Sequence, residues 1–322
     1  MDTYECDKYI CSNKNDDIKK TLNEYGVAIV LNVLDAVECD EMVNGMWDYL
    51  EHITSKNIKR DDQTTWRNIT DLFPLHSMLI QHWCIGHSDF VWKVRQNMKV
   101  IEVFANIYNV KPEDLLVSFD GASIHMPPEI TKRGWNRNNT WFHSDQSFKR
   151  NDFECVQGWV TAFDVNVGDA TLAFLEKSHN YHKKFAETMG VSEPKDWYKL
   201  NEEEFEFFKL SGCEEKRIKC PKGSLVLWDS RTIHCGVEAF KEREKSNFRC
   251  IAYVCYQPRI LCNDKNIVKK RKAFEEMRMT THWPCKIKLF AKTPRTYGKE
   301  LPKLNAISKP VLTDIGVRLA GF

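Results

Sequence analysis

Five short runs between residues 115 and 256 constrain this chain more than anything else in it. They are Leu115–Phe119, Val156–Phe163, Ala170–Leu175, Ser224–Trp228 and Phe248–Tyr256. Each is rich in the β-branched, aliphatic and aromatic residues that suit a pleated, buried surface. Turn signals at Gly121, Gly168-Asp169 and Asp229-Ser230 separate several of them. Many short strands with irregular joins predict an antiparallel barrel or jelly roll.

The residues before this region follow a helical period instead. Asp16-Asp17 is expected to cap a short helix carrying Ile18 and Leu22, which stops near Gly26. Val27–Leu31 then reads as a buried strand. Val37, Met42, Val43, Met46, Trp47, Leu50 and Ile53 track one apolar face of a second helix. Residues 54–75 are polar and loop-like. Helical patterning resumes between His76 and Val110, with Phe90, Val91, Val94, Met98, Ile101 and Phe104 on one side. The acid-rich stretch starting at Asn201 predicts an insertion helix near residues 201–210. The expected fold class is mainly β with flanking helices. One domain is expected over residues 1–322: a helical layer over 1–114, a jelly-roll core over 115–260 and a basic extension over 261–322.

Composition narrows the class. A hydrophobic fraction of 42% with 12% aromatic residues describes a packed globular protein and excludes disorder or a fibre. No apolar run approaches the roughly 20 residues a membrane-spanning helix needs. The polar, acidic N-terminal stretch lacks the pattern of a signal peptide, so a reducing, cytoplasmic setting is expected. The twelve cysteines include no Cys-x-x-Cys pair, which argues against a zinc ribbon or a thioredoxin-type site. Cys250 and Cys255 fall inside an apolar run and read as buried thiols. Net charge is +2 but unevenly spread, with eleven Lys/Arg against Glu275 and Glu276 from Lys265 to Lys299. Such a segment is either a solvated helix face or a surface for nucleic acid or an anionic substrate. The chain has no His-Glu-x-x-His, Gly-x-Ser-x-Gly, Walker or Rossmann motif, which argues against the enzyme classes built on them.

The chemistry-bearing stretch is Trp141-Phe-His-Ser-Asp-Gln-Ser147. On a strand, residues two apart share a face, so His143 and Asp145 would project together. His234, after a strand and a turn, is the best third partner. Two imidazoles and one carboxylate on one side of a metal form the facial triad of non-haem Fe(II) oxygenases. Arg249, in Asn247-Phe-Arg-Cys-Ile-Ala-Tyr253, supplies a cation on the strand after the last ligand. Its planar fork can pair bidentately with the far carboxylate of a chelating 2-oxo acid.

These residues resemble the phytanoyl-CoA dioxygenase-like branch of the Fe(II)/2-oxoglutarate oxygenases. The likeness covers about residues 115–257. It is carried by His143-Ser-Asp145, Trp159–Asp164, Gly168–His179, Gly223–Asp229, His234-Cys-Gly236 and Asn247-Phe-Arg249. The resemblance implies a double-stranded β-helix, the cupin-like jelly roll, and the co-substrates 2-oxoglutarate and O₂ with Fe(II) as the metal. It assigns His143, Asp145 and His234 as iron ligands and Arg249 as the 2-oxoglutarate anchor. Two departures stand out. Glu176-Lys177 replaces the Pro-Gly common in the family, and the spacing from His234 to Arg249 is longer than usual. Arg243 is therefore a rival anchor; its charged run, Lys241–Lys245, reads as an exposed turn. Related halogenases lack the carboxylate, so Asp145 implies hydroxylation, with succinate and CO₂ released.

The remaining candidates are weaker. Gln146 and Ser147 follow the ligand pair and could line a substrate cavity or simply end a strand. Trp159 could wall the 2-oxoglutarate pocket or pack in the core. Asp120 reads as shaping the Gly121 turn, and His179 and His182 as loop or capping residues. His282 lies in an aromatic, basic segment that could either lid the barrel mouth or pack. The expected partner is a small-molecule substrate. The same chemistry on nucleic acid or a protein side chain, through residues 265–299, and a non-catalytic binding module are the alternatives.

Overall fold

The computed structural model describes residues 3–322. In chain order the strands are β1 (Tyr4–Glu5), β2 (Val27–Val30), β3 (Leu79–Ile80), β4 (Leu115–Val117), β5 (Ala122–His125), β6 (His143–Ser144), β7 (Val156–Thr161), β8 (Thr171–Leu175), β9 (Tyr198–Lys199), β10 (Glu215–Ile218), β11 (Leu225–Asp229), β12 (His234–Val237) and β13 (Arg249–Pro258). They form two sheets. One runs β1-β10-β8-β12-β6-β9. The other runs β2-β11-β7-β13-β5-β3, with β4 paired to the far half of β13. Apart from β1 against β10, the pairings are antiparallel. This is the cupin-like jelly roll.

Strand alternation explains why the central runs read as continuously apolar. In β13, Cys250, Ala252, Val254 and Tyr256 pack on the outer, helical side, while Ile251 and Tyr253 face the space between the sheets. In β11, Leu225 and Leu227 point outward and Val226 and Trp228 inward. Both faces of the larger sheet are therefore buried, a condition that replaces apolar/polar alternation with near-uniform hydrophobicity.

The outer layer comes from helices α1 (Asn15–Tyr25), α2 (Ala36–Ile53), α3 (Asp89–Arg95) and α4 (Met98–Tyr108). Their apolar stripes, including Ile18, Leu22, Met46, Leu50, Phe90, Val94, Ile101 and Phe104, join one core with the sheet. A reciprocal capping box starts α2, with the Glu38 amide donating to Asp35 at 3.0 Å and the Asp35 amide to Glu38 at 2.8 Å. Four further helices follow the first strands of the roll: α5 (Pro128–Thr131), α6 (His182–Met189), α7 (Glu202–Leu210) and α8 (Asp264–Glu275). The last helix is α9 (Asp314–Leu319).

Several expectations need correction. Helices hold more residues than strands, so "mainly β" understates their share. The strand expected at Val27–Leu31 is β2, but β3 arises within the 76–110 stretch expected to be helical, and both belong to the larger sheet. Asp16 and Asp17 lie inside the first turn of α1 rather than at its cap, and Asp17 is tied to Ser12. Residues 54–75 are not all loop, since Gln63–Leu72 winds as a 3₁₀ helix that buries Trp66, Ile69 and Leu72. Most cations of the basic extension are exposed, as a solvated face predicts, but Lys270 is buried against the Val117 carbonyl, and Lys269, Arg271 and Arg278 donate within the extension to Ile287 O, Gly321 O and Phe290 O. Lys286 pairs with Glu154 and Lys288 with Asp196. Among the described residues no helix is long and apolar enough to cross a membrane. The twelve cysteines are free thiols, ten of them buried, as the apolar context of Cys250 and Cys255 suggested.

Candidate metal centre

His143 opens β6 and His234 opens β12, and the antiparallel register sets them directly opposite each other. Their ring centroids are 4.4 Å apart. Each Nδ1 meets a backbone carbonyl two residues upstream: Trp141 O at 3.1 Å for His143, and Thr232 O at 2.8 Å for His234. A carbonyl only accepts, so each Nδ1 must carry the proton and each Nε2 presents a lone pair. The backbone itself thus selects the tautomer a metal ligand needs.

Asp145 stands one residue beyond β6, with its amide donating to Ser230 O at 3.1 Å. Its Oδ1 lies 3.5 Å from His143 Nε2 and its Oδ2 3.4 Å from His234 Nε2. One donor atom from each of the three lies within 4.8 Å of the others. Gln157 on β7 donates from Nε2 to Asp145 Oδ2 at 2.9 Å and fixes the carboxylate from the opposite sheet. Burial alone would push the Asp145 carboxyl up, but the neighbouring His282 and His143 side chains hold it well below the usual range. Burial lowers His234 and favours its neutral, ligating form. Among the described residues no Lys or Arg pairs with Asp145, so its charge is left for another cation. This two-nitrogen, one-oxygen donor set suits Fe(II).

The three residues border a cavity of about 690 Å³. Arg249, the first residue of β13, borders it too, from the other sheet. Its Nε donates to Ser123 Oγ at 2.9 Å and its Nη1 to Ala170 O at 3.0 Å, and the guanidinium stands 5.2 Å from the Trp159 ring. Burial lowers the Arg249 pKa, and among the described residues no carboxylate lies within ion-pairing distance of it. Arg243 is the opposite case. Far from lying in an exposed turn, its side chain is 1% exposed and saturated by Glu129 and Asp169. The jelly-roll interior, not the charge of the local sequence, decides its burial.

Gln146 and Ser147 turn away from the cavity. Gln146 Nε2 donates to Arg150 O and Asp152 O, and Ser147 Oγ to Glu193 O. They shape the loop after the ligand pair. His179 meets Asn23 O and His182 meets Gln146 O, so both tie loops as expected. Asp120 follows β4 and borders the cavity, besides pairing with buried Arg95 at 2.9 Å. Gln157 and Tyr253 escaped sequence reading. Alternation could have found both, since Gln157 is two residues from Trp159 and Tyr253 is its register partner.

Residues 22–238 match the family model for phytanoyl-CoA dioxygenase. The chain belongs to the phytanoyl-CoA dioxygenase family. This family's cofactors are Fe(II), 2-oxoglutarate and O₂, and the donor set described above fits them. The matched segment contains His143, Asp145 and His234 but ends before Arg249. Protein O of the Ava biosynthesis cluster from Aspergillus versicolor is 23% identical over 277 residues, which is 83% of this chain and 86% of that protein. A putative oxidoreductase from Salmonella typhimurium LT2 superposes with a TM-score of 0.61 at 12% identity, over 98% of this chain and 86% of that one. GlcNAc Inducible Gene 2 of Candida albicans superposes with a TM-score of 0.57 at 14% identity, over 83% and 70%. At these identities the structural likeness shows the fold. As a member of the phytanoyl-CoA dioxygenase family, the protein is an enzyme of the Fe(II)/2-oxoglutarate-dependent class.

Proposed function

We propose that this enzyme hydroxylates a C–H bond of a small molecule, with His143, Asp145 and His234 holding Fe(II) and Arg249 anchoring 2-oxoglutarate. One observation carries the reading. Two histidines and a carboxylate face, across a single cavity, a buried guanidinium that has no acidic partner among the described residues. The triad asks for a cation and the arginine for an anion, and an iron-bound 2-oxo acid is both.

The chain's residues divide the work. His143 and His234 would offer Nε2, and Asp145 one oxygen, leaving one side of the metal open to ligands. Gln157 would hold the carboxylate in place, as partners of metal ligands commonly do. Arg249 would receive the distal carboxylate of 2-oxoglutarate, with Ser123 and Ala170 fixing the guanidinium. Trp159 packs against that guanidinium and would wall the co-substrate pocket. Trp228, Leu172 and Tyr253 line the cavity with apolar surface that limits water near the reacting atoms. When bound, the metal supplies the oxidising chemistry that couples loss of CO₂ from 2-oxoglutarate to oxygen insertion. The small-molecule class is supported by the cavity size, within the range of ordinary ligand pockets, and by a relative named for a biosynthesis cluster.

The test is anaerobic. Fe(II) and then 2-oxoglutarate are added to the full chain, and the visible metal-to-ligand charge-transfer band is recorded. The band is expected only with both additions, and is expected to vanish in His143→Ala and weaken in Arg249→Gln. No band in protein shown to hold iron would refute the proposal.

A further inference from the structure

Beyond the family-matched segment, residues 279–290 form a hairpin. Thr280 bridges Leu289, the Thr281 amide donates to Lys288 O at 2.9 Å and the Phe290 amide to Met279 O at 2.9 Å. The hairpin is clamped to the roll. The Thr280 amide donates to Phe119 O and the Phe119 amide to Thr280 Oγ1, each at 3.0 Å. Lys286 and Lys288 pair with Glu154 and Asp196 at 2.9 and 3.0 Å. Held at so many points, it is a fixed wall, the kind of support on which a binding site can be exact in geometry.

Thr281, His282 and Trp283 border the same cavity as the triad. Thr281 Oγ1, His282 Nε2 and Trp283 Nε1 are each buried without a hydrogen-bond partner. Three consecutive residues in that state are unusual, because buried polar groups nearly always find partners. Several other polar groups of the cavity are already engaged. Asp120 is held by Arg95, Asp196 by Lys288, and the Trp141 indole N–H by Gly236 O. The unpartnered indoles of Trp159 and Trp228 stand beside Arg249 and His234, on the metal and co-substrate side. Thr281, His282 and Trp283 stand together on the hairpin, with His282 also acting on Asp145, and the unfilled space they border is the cavity.

We infer that Thr281, His282 and Trp283 read the prime substrate, and that this substrate is a largely apolar molecule with a hydrogen-bond-accepting oxygen. Trp283 Nε1 can only donate, and the Thr281 hydroxyl and the His282 ring can both donate as well. An oxygen acceptor satisfies all three. Apolar bulk suits the Met78, Leu79, Trp141 and Phe290 surfaces. The inference rests on the hydroxylase reading of this site, and its test separates the two.

The experiment uses two probes that differ only in a carbonyl, α-tetralone and tetralin. Binding of each to the metal-free full chain is measured by saturation-transfer NMR titration. Wild type is expected to prefer α-tetralone by about tenfold, the order one net buried hydrogen bond gives. Thr281→Val, Trp283→Phe and His282→Leu are each expected to shrink that preference, while His282→Gln, which keeps a donor, retains it. Near-UV circular dichroism checks the fold of each variant, and the two His282 variants decide if another fails to fold. Wild type without preference, the same preference in every folded variant, or no binding of either probe would overturn the inference. No metal enters this assay, so a lost probe preference leaves the iron reading standing, and a missing charge-transfer band leaves the polar wall standing.

Discussion

Arg249 and Arg243 are both buried cations, yet they should respond differently to replacement by leucine. Arg243 is compensated by Glu129 Oε2 at 2.5 Å and Asp169 Oδ1 at 2.9 Å. Removing it strands two carboxylates, and breaking a buried pair this way costs about 3–5 kcal/mol. Arg249 has two neutral hydrogen bonds, to Ser123 and Ala170, and no acidic partner among the described residues. Arg249→Leu forfeits those bonds, about 1 kcal/mol each, but also removes an unpaired buried charge whose desolvation costs several kcal/mol. The two terms oppose, so the empty protein should lose no more than about 2 kcal/mol. Its affinity for 2-oxoglutarate should collapse, since losing one partner of a buried charge pair costs about 2–5 kcal/mol, or roughly thirtyfold to several thousandfold in Kd.

Urea unfolding of the metal-free variants gives the first half, and calorimetric titration of 2-oxoglutarate into Mn(II)-loaded protein the second. A saturating co-substrate should add about 2.7 kcal/mol to wild type at a hundred times its Kd and nothing to Arg249→Leu. Severe destabilisation of Arg249→Leu with intact 2-oxoglutarate binding would show that the arginine is structural and that the anchor lies elsewhere.

Three further outcomes follow from the same coordinates. Gln157→Leu removes the hydrogen bond to Asp145 and should raise the Mn(II) Kd by about 10–100-fold; an unchanged electron paramagnetic resonance titration would reduce Gln157 to packing. His87, His125 and His182 are held at about 4, chiefly by burial, and stay neutral in the fold while the unfolded chain protonates near 6.5. Stability should therefore be full above about pH 6.5 and fall as pH drops toward 4; equal urea midpoints at pH 7 and at pH 5 would contradict this. Burial pushes Lys270 down to about 7, so the unfolded chain binds a proton that the folded one releases over the range up to about 10.4. Lys270→Met should therefore stabilise the protein by about 1–2 kcal/mol at neutral pH, with the gain shrinking as pH approaches about 10; a lower melting temperature at pH 7 would show that its bond to Val117 O outweighs the burial cost.

Local pattern carried much of the architecture. The five apolar runs are strands because their side chains alternate between two buried faces, a property of the chain itself. The amphipathic spacing in 37–53 and 90–104 likewise made helices, and the acid-rich start at Asn201 made α7, with its own capping box. What misled were polar segments whose burial depends on distant partners. Gln63–Leu72 reads as loop, yet it places Trp66 against Trp47 and Phe248. Lys241–Lys245 reads as a solvated turn, yet Arg243 finds Glu129 and Asp169 inside the roll.

The site divides the same way. That His143 and Asp145 share a direction is a two-residue periodicity, fully present in the sequence. That His234 lies directly across from His143 is a matter of strand register between β6 and β12, which the linear chain does not encode locally. Gln157 reaches Asp145, and Arg249 reaches the cavity, only because two sheets face each other across a shared interior. The basic C-terminal stretch read as a charged surface. Tertiary packing made part of it a clamped hairpin that borders the cavity, because Lys286, Lys288 and Lys270 meet Glu154, Asp196 and the Val117 carbonyl, groups far from it in the chain.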